Sequence, residues 1–132
     1  MKVEVQKDWY SINQCKNNPN KLYIFGDNFI RKGYGGQAQI RDCQNSFGIA
    51  TKFAPGTYEK DYFSDIMYDQ CINIIKMDID DLLQYLSTTS IIDTVIFPVD
   101  GLGTGLSELP TRAPKVYKFL NDELFKNFGI KL

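Results

Sequence analysis

Two glycine-rich segments and one carboxylate mark where this chain could do chemistry. The first segment, Gly26-Asp27-Asn28-Phe29-Ile30-Arg31-Lys32-Gly33-Tyr34-Gly35-Gly36-Gln37, holds four glycines and follows the apolar run Leu22–Phe25. Glycine lets a backbone approach a ligand closely and present its amides unobstructed. A helix opening at Gly36–Gln37 would aim free N–H groups at an anion, and Arg31 and Lys32 add positive charge. The second segment, Pro98-Val99-Asp100-Gly101-Leu102-Gly103-Thr104-Gly105-Leu106, has glycines at alternate positions. It is neither the dinucleotide fingerprint nor an ATPase phosphate loop. Its amides would cup a diphosphate, with the Thr104 hydroxyl as an extra donor. Asp100 directly follows an apolar run, the place for a working carboxylate in an α/β sheet; partial desolvation there would poise it as a base.

Each of these side chains also has a plainer role. Asn28 serves either a ligand hydroxyl or a turn. Asp27 is an Asx turn, a cap, or a hydrogen-bond acceptor for a ligand, and Asp100 a base or a fastener of its own loop. Arg31 and Arg41 suit phosphate, with a solvated helix position as the alternative for Arg41. Lys52 ends an apolar stretch and would reach the same cleft. Tyr34 suits stacking on a base or ribose, whereas Phe29 suits core packing. Gly35 and Gly103 are where a passing ligand would exclude any side chain.

The composition removes whole classes of chemistry. Histidine is absent, so histidine-based triads and histidine metal sites are unavailable. No metal and no cofactor are expected. The three cysteines, Cys15, Cys43 and Cys71, are odd in number and suit free thiols in a reducing, cytoplasmic setting. Cys43 reads as a small apolar residue. A net charge of −1 gives no basic field for nucleic acid. Charge is uneven: residues 61–100 carry eight acids against one lysine, half of them on one predicted helix, while residues 26–60 carry five basic residues against three acids. No apolar run approaches the ~18 residues of a membrane span, so no membrane partner is expected. The alternating, charged start lacks the apolar core of a signal peptide.

The elements that must position the loops follow from apolar spacing. The chain's 132 residues fit one domain over 1–132. Val3 and Val5 alternate as a first strand; a short helix spans Ser11–Lys16; Leu22–Phe25 is a strand buried on both faces. A helix over Gln37–Asn45, a strand over Phe47–Phe53, a loop over 57–65 and a long helix over Ile66–Leu86 follow. Thr94–Val99 is a second buried strand. Pro110 and Thr111 start a helix that Gly129 caps, and Ile130–Leu132 adds a last strand. Strands alternating with helices predict a single three-layer α/β domain, its sheet mixed or parallel, with helices on both faces. Ligands in such sheets bind beyond the carboxyl ends of the strands, where both loops fall.

The pair of loops resembles the macrodomain family, which binds ADP-ribose and its derivatives. In that pattern an apolar strand ends in an asparagine and a glycine-rich loop opens a helix. Later a strand ending in Phe-Pro precedes a loop rich in glycine and Ser/Thr, then a proline and a long helix. Here Leu22–Phe25 leads to Asn28, Gly33, Tyr34, Gly35, Gly36 and Gln37, and Ile96-Phe97-Pro98 leads to Gly103-Thr104-Gly105-Leu106 and Pro110. The likeness covers about half the chain and extends to small phage proteins of macro-like sequence. Gly103–Leu106 also looks like the branch that removes ADP-ribose from carboxylate side chains. There an acid follows Gly-Leu; here that position is Ser107, with Glu108 next. The resemblance implies an ADP-ribose-type, NAD-derived ligand held by Asp27, Arg31, residues 33–37 and residues 101–106. Hydrolysis of an ADP-ribosyl ester or phosphate would then fall to Asp100 and Asn28. A non-catalytic nucleotide-binding module, and an interaction protein with purely structural glycine turns, are the alternatives. A single concave pocket formed by both loops separates the last reading from the others.

Overall fold

The computed structural model describes residues 1–132. Four strands, β1 (Lys2–Gln6), β2 (Lys21–Asn28), β3 (Ser46–Lys52) and β4 (Thr94–Pro98), form one sheet in the order β1-β4-β2-β3. All three pairings are parallel. The helices are α1 (Ile12–Asn17), α2 (Tyr68–Thr88), α3 (Leu109–Arg112) and α4 (Pro114–Phe128).

The two buried strands divide their side chains between the faces by simple alternation. Leu22 and Ile24 of β2, with Val95 and Phe97 of β4, enter a large core with α2 and α4. Tyr23, Phe25 and Ile96 point the other way, into a smaller core with Tyr10, Cys15, Ala38 and Ile40. The domain is thus three-layered, as the strand and helix order predicts, with one thick and one thin helical layer. Burial of its surroundings pushes the Cys15 thiol up to about 12, with the neighbouring Cys43 adding to the effect. All three thiols are free.

The layering follows from the direction of travel along the sheet. Going from β1 to β2 and from β2 to β3 the chain moves one way, and its connections cover the thin side. From β3 to β4 it returns, so right-handed crossover sends α2 to the opposite face. The segments leaving β2 and β4, which are neighbours, therefore depart to opposite faces. Such a switch point leaves a crevice at the strands' carboxyl ends. The ladder shows it opening: β2 and β4 pair only from Lys21↔Thr94 to Tyr23↔Ile96, while β2 runs on to Asn28 against β3 alone. Buried Tyr10 seals the base of the split, its hydroxyl 2.8 Å from the Ile24 carbonyl and 3.2 Å from that of Ile96.

Two expected elements are absent. The helix over Gln37–Asn45 is only a 3-10 turn, Gly36–Ile40, followed by irregular chain. Polar side chains compete for the backbone there. Ser46 Oγ donates to the Cys43 carbonyl at 2.8 Å, and Asn45 Nδ2 lies 2.8–3.0 Å from the carbonyls of Cys15, Asn18 and Lys21. Ile130–Leu132 forms no strand. Ile130 and Leu132 instead pack on the large core. Gly129 does cap α4, at φ 70°. No helix is long and apolar enough to cross a membrane.

Candidate functional site

Both glycine loops meet over the switch-point crevice and wall one cavity of about 710 Å³. That lies within the ~300–1,000 Å³ typical of small-molecule sites. From the first loop come Gly26, Gly35, Gly36 and Gln37. From the second come Asp100, Gly101, Gly103, Thr104, Gly105 and Leu106, flanked by Ser107. The segment after β1 supplies a third wall through Lys7 and Trp9.

The glycines are needed because the backbones nearly touch. A Cβ on Gly26 would lie 3.0 Å from the Gly103 nitrogen, and one on Gly35 would lie 2.8 Å from Leu106 Cδ1. Gly103 sits at φ +79°, where a Cβ would also come within 3.0 Å of both Leu109 and Thr51. Protein neighbours thus exclude a side chain at Gly103 with or without a ligand, whereas at Gly35 only the exposed Leu106 side chain would have to turn aside. Gly105 differs: a Cβ there meets nothing within 4 Å. Gly103→Val combines a left-handed backbone with overpacking and should cost about 2–5 kcal/mol. Gly105→Val should leave the denaturation midpoint unchanged while narrowing the cavity. Chemical denaturation of the two variants checks the contrast; equal stabilities would contradict this geometry.

The second loop also offers donors. The N–H groups of residues 102–107 have no acceptor within the chain. Those of Gly101, Glu108 and Leu109 are used to close the loop, on Pro98, Gly105 and Gly103 respectively. Leu102 is the loop's anchor, buried in the large core instead of facing the cavity. Ser107 Oγ and Thr51 Oγ1 lie 2.7 Å apart, and Thr51 donates at 3.1 Å to the Asp27 carbonyl, which fixes the loop's far end to β3.

The charged part of the first loop is turned inward, a correction to its expected role toward ligand. Asp27 is buried and meets Arg41 with two hydrogen bonds of 2.8 and 2.6 Å. Arg41 reaches on to the carbonyls of Gly33 at 2.8 Å and Lys32 at 3.3 Å, stapling the loop. Gly48 is a glycine because a Cβ there would lie 2.5 Å from Asp27 Oδ2. Arg31, at φ 65°, pairs with buried Asp78 on α2, which also accepts from the Ala50 N–H at 2.7 Å. The charge of Arg31 is thereby paired within the protein, while Lys32 stays exposed.

Asn28 is likewise a turn residue. Its Oδ1 accepts from the Arg31 N–H at 3.0 Å and its Nδ2 donates to the Lys32 carbonyl at 2.7 Å. Neither it nor Gly33 lines the cavity. Tyr34 is exposed and donates its hydroxyl to Asp42 at 2.9 Å, away from the cavity wall. Phe29 is exposed instead of packing in the core. Gln37 lines the cavity, but its Oε1 accepts from the Tyr10 N–H at 3.0 Å. Lys52 is buried behind the second loop, donating to the Gly56 carbonyl at 2.7 Å, with its Nζ 4.3 Å from the centre of the Tyr62 ring. Burial lowers its pKa, opposed by Asp61.

Asp100 lines the cavity as expected, but at the exposed rim and without a hydrogen-bond partner, so the expected desolvation is missing. It is the one carboxylate on the wall, and Lys7 the one cation. Lys7 and Trp9 escaped the sequence reading because their role depends on β1 lying beside β4. The signal available was weak: the chain's single tryptophan just after a strand.

Fold and site together define an α/β domain with a glycine-walled cavity at the carboxyl end of a parallel sheet. Within that class, the chain belongs to a family of unknown function, DUF7831, whose model matches residues 5–123. No curated protein and no solved structure matches it.

Proposed function

We propose that this protein binds ADP-ribose, or a related NAD-derived nucleotide, in the cavity between its two glycine loops. The observation that carries the reading is the convergence of both loops on one cavity, with residues 103–107, whose amides have no acceptor within the chain, along one wall. Backbone amides of this kind suit a diphosphate, and Lys7 supplies the single positive side chain. The resemblance of these loops to those of macrodomains supports the same ligand class. Saturating ADP-ribose should raise the melting temperature, and AMP should raise it less, lacking the second phosphate and distal ribose. No shift with either nucleotide would sink the reading.

A second reading, hydrolysis of an ADP-ribosyl ester, is favoured by one observation: a solvent-accessible carboxylate, Asp100, on the same wall as the amides. Asn28, occupied within its own turn, has no part in it.

A further inference from the structure

We infer that Trp9 is the platform on which the nucleotide's base stacks; this rests on the nucleotide-binding reading and specifies where the base lies. The backbone around Trp9 is held firmly from several sides. Gln37 Oε1 accepts from the Tyr10 N–H at 3.0 Å, and Gln39 Nε2 donates to the Tyr10 carbonyl. Gln6 Nε2 donates to the Asp8 carbonyl at 2.9 Å and lies 3.0 Å from Gln14 Oε1. Tyr10 itself is buried, its hydroxyl pinned across β2 and β4. Yet the indole displayed by this clamped segment is 66% exposed.

The indole stands at the cavity wall beside Gly36, its Cζ3 and Cη2 3.9 and 4.0 Å from where a Gly36 Cβ would be. The ring packs against Gly36 along one edge and leaves most of its surface open, so a flat ring can stack on its exposed face. The other aromatic side chains near the first loop, Tyr34 and Phe29, lie off the cavity wall. With the base on Trp9, the adjacent Gly35–Gln37 and Gly103–Leu106 walls receive the diphosphate, and the distal sugar extends toward Asp100.

Because the chain has a single tryptophan, its fluorescence reports on this site alone. AMP, ADP and ADP-ribose should quench it, whereas ribose 5-phosphate and inorganic pyrophosphate should not. By calorimetry, Trp9→Ala should weaken ADP-ribose binding about tenfold to a hundredfold, the usual value of one stacked base. Trp9→Phe should recover most of that loss, which separates stacking from a general disturbance. ADP-ribose that binds wild-type protein without quenching, with Trp9→Ala unchanged in affinity, would overturn the stacking assignment and leave the nucleotide reading intact. Quenching by AMP and ADP but not by ADP-ribose would support Trp9 and reject ADP-ribose as the ligand. No quenching by any base-bearing nucleotide would overturn the assignment.

Discussion

Asp27→Ala is expected to lose about 3–5 kcal/mol of stability, the usual cost of stranding one partner of a buried ion pair. The Asp27 side chain is 4% exposed and that of Arg41 13%. Removing the carboxylate leaves the Arg41 guanidinium with only the carbonyls of Gly33 and Lys32. It also frees the Asn28 N–H, which donates to Asp27 Oδ1 at 2.7 Å. A domain of this kind has roughly 5–15 kcal/mol in total, so the loss would be visible as a large drop in the urea midpoint. Because Arg41 staples the first loop, ligand binding should fall with stability. A loss below about 1 kcal/mol would mean that the pair does not hold the loop.

Asp100→Asn should lower turnover of an ADP-ribosyl ester about 10²–10⁴-fold while changing ADP-ribose affinity little, the usual effect of losing a positioned general base. In the proposed hydrolysis, water would add to the anomeric carbon as its bond to the ester oxygen breaks, Asp100 would take the water's proton, and the side-chain carboxylate would leave. With no histidine in the chain and no other carboxylate on the cavity wall, no second residue there substitutes for it. Single-turnover assays with wild type and variant check this. Full activity in Asp100→Asn would reject the assignment, and a wild type that binds ADP-ribose but turns over nothing would leave a binding module.

What the sequence made legible was local. Leu22–Phe25 and Thr94–Val99 read as strands buried on both faces because unbroken apolar runs must have both faces covered, and the second strand ends one residue earlier, at Pro98. The α2 and α4 stripes and the Gly129 cap repeat on the scale of a helical turn. The convergence of the two glycine loops followed from placing both after buried strands. What stayed hidden depends on contacts distant in sequence. Arg31 looked free to meet phosphate because its partner Asp78 lies 47 residues away. The pull of Asp27 on Arg41 is likewise invisible until the loop closes. Trp9 and Lys7 join the site only because β4, last in sequence, inserts between β1 and β2. The missing helix after Gly36 is a case of Asn45 and Ser46 capturing backbone carbonyls, which local propensity underweights.

In the proposed function a nucleotide diphosphate occupies the space between the two glycine loops. Calorimetric titration of ADP-ribose into wild-type protein and into Gly105→Val tests it most directly, since Gly105 lines the cavity and a Cβ there meets no protein atom within 4 Å. Wild-type protein should bind one ADP-ribose per chain, and binding should fall at least tenfold in a Gly105→Val protein that melts at the wild-type temperature. Equal affinity in the two proteins, or no heat of binding with wild type, would contradict it.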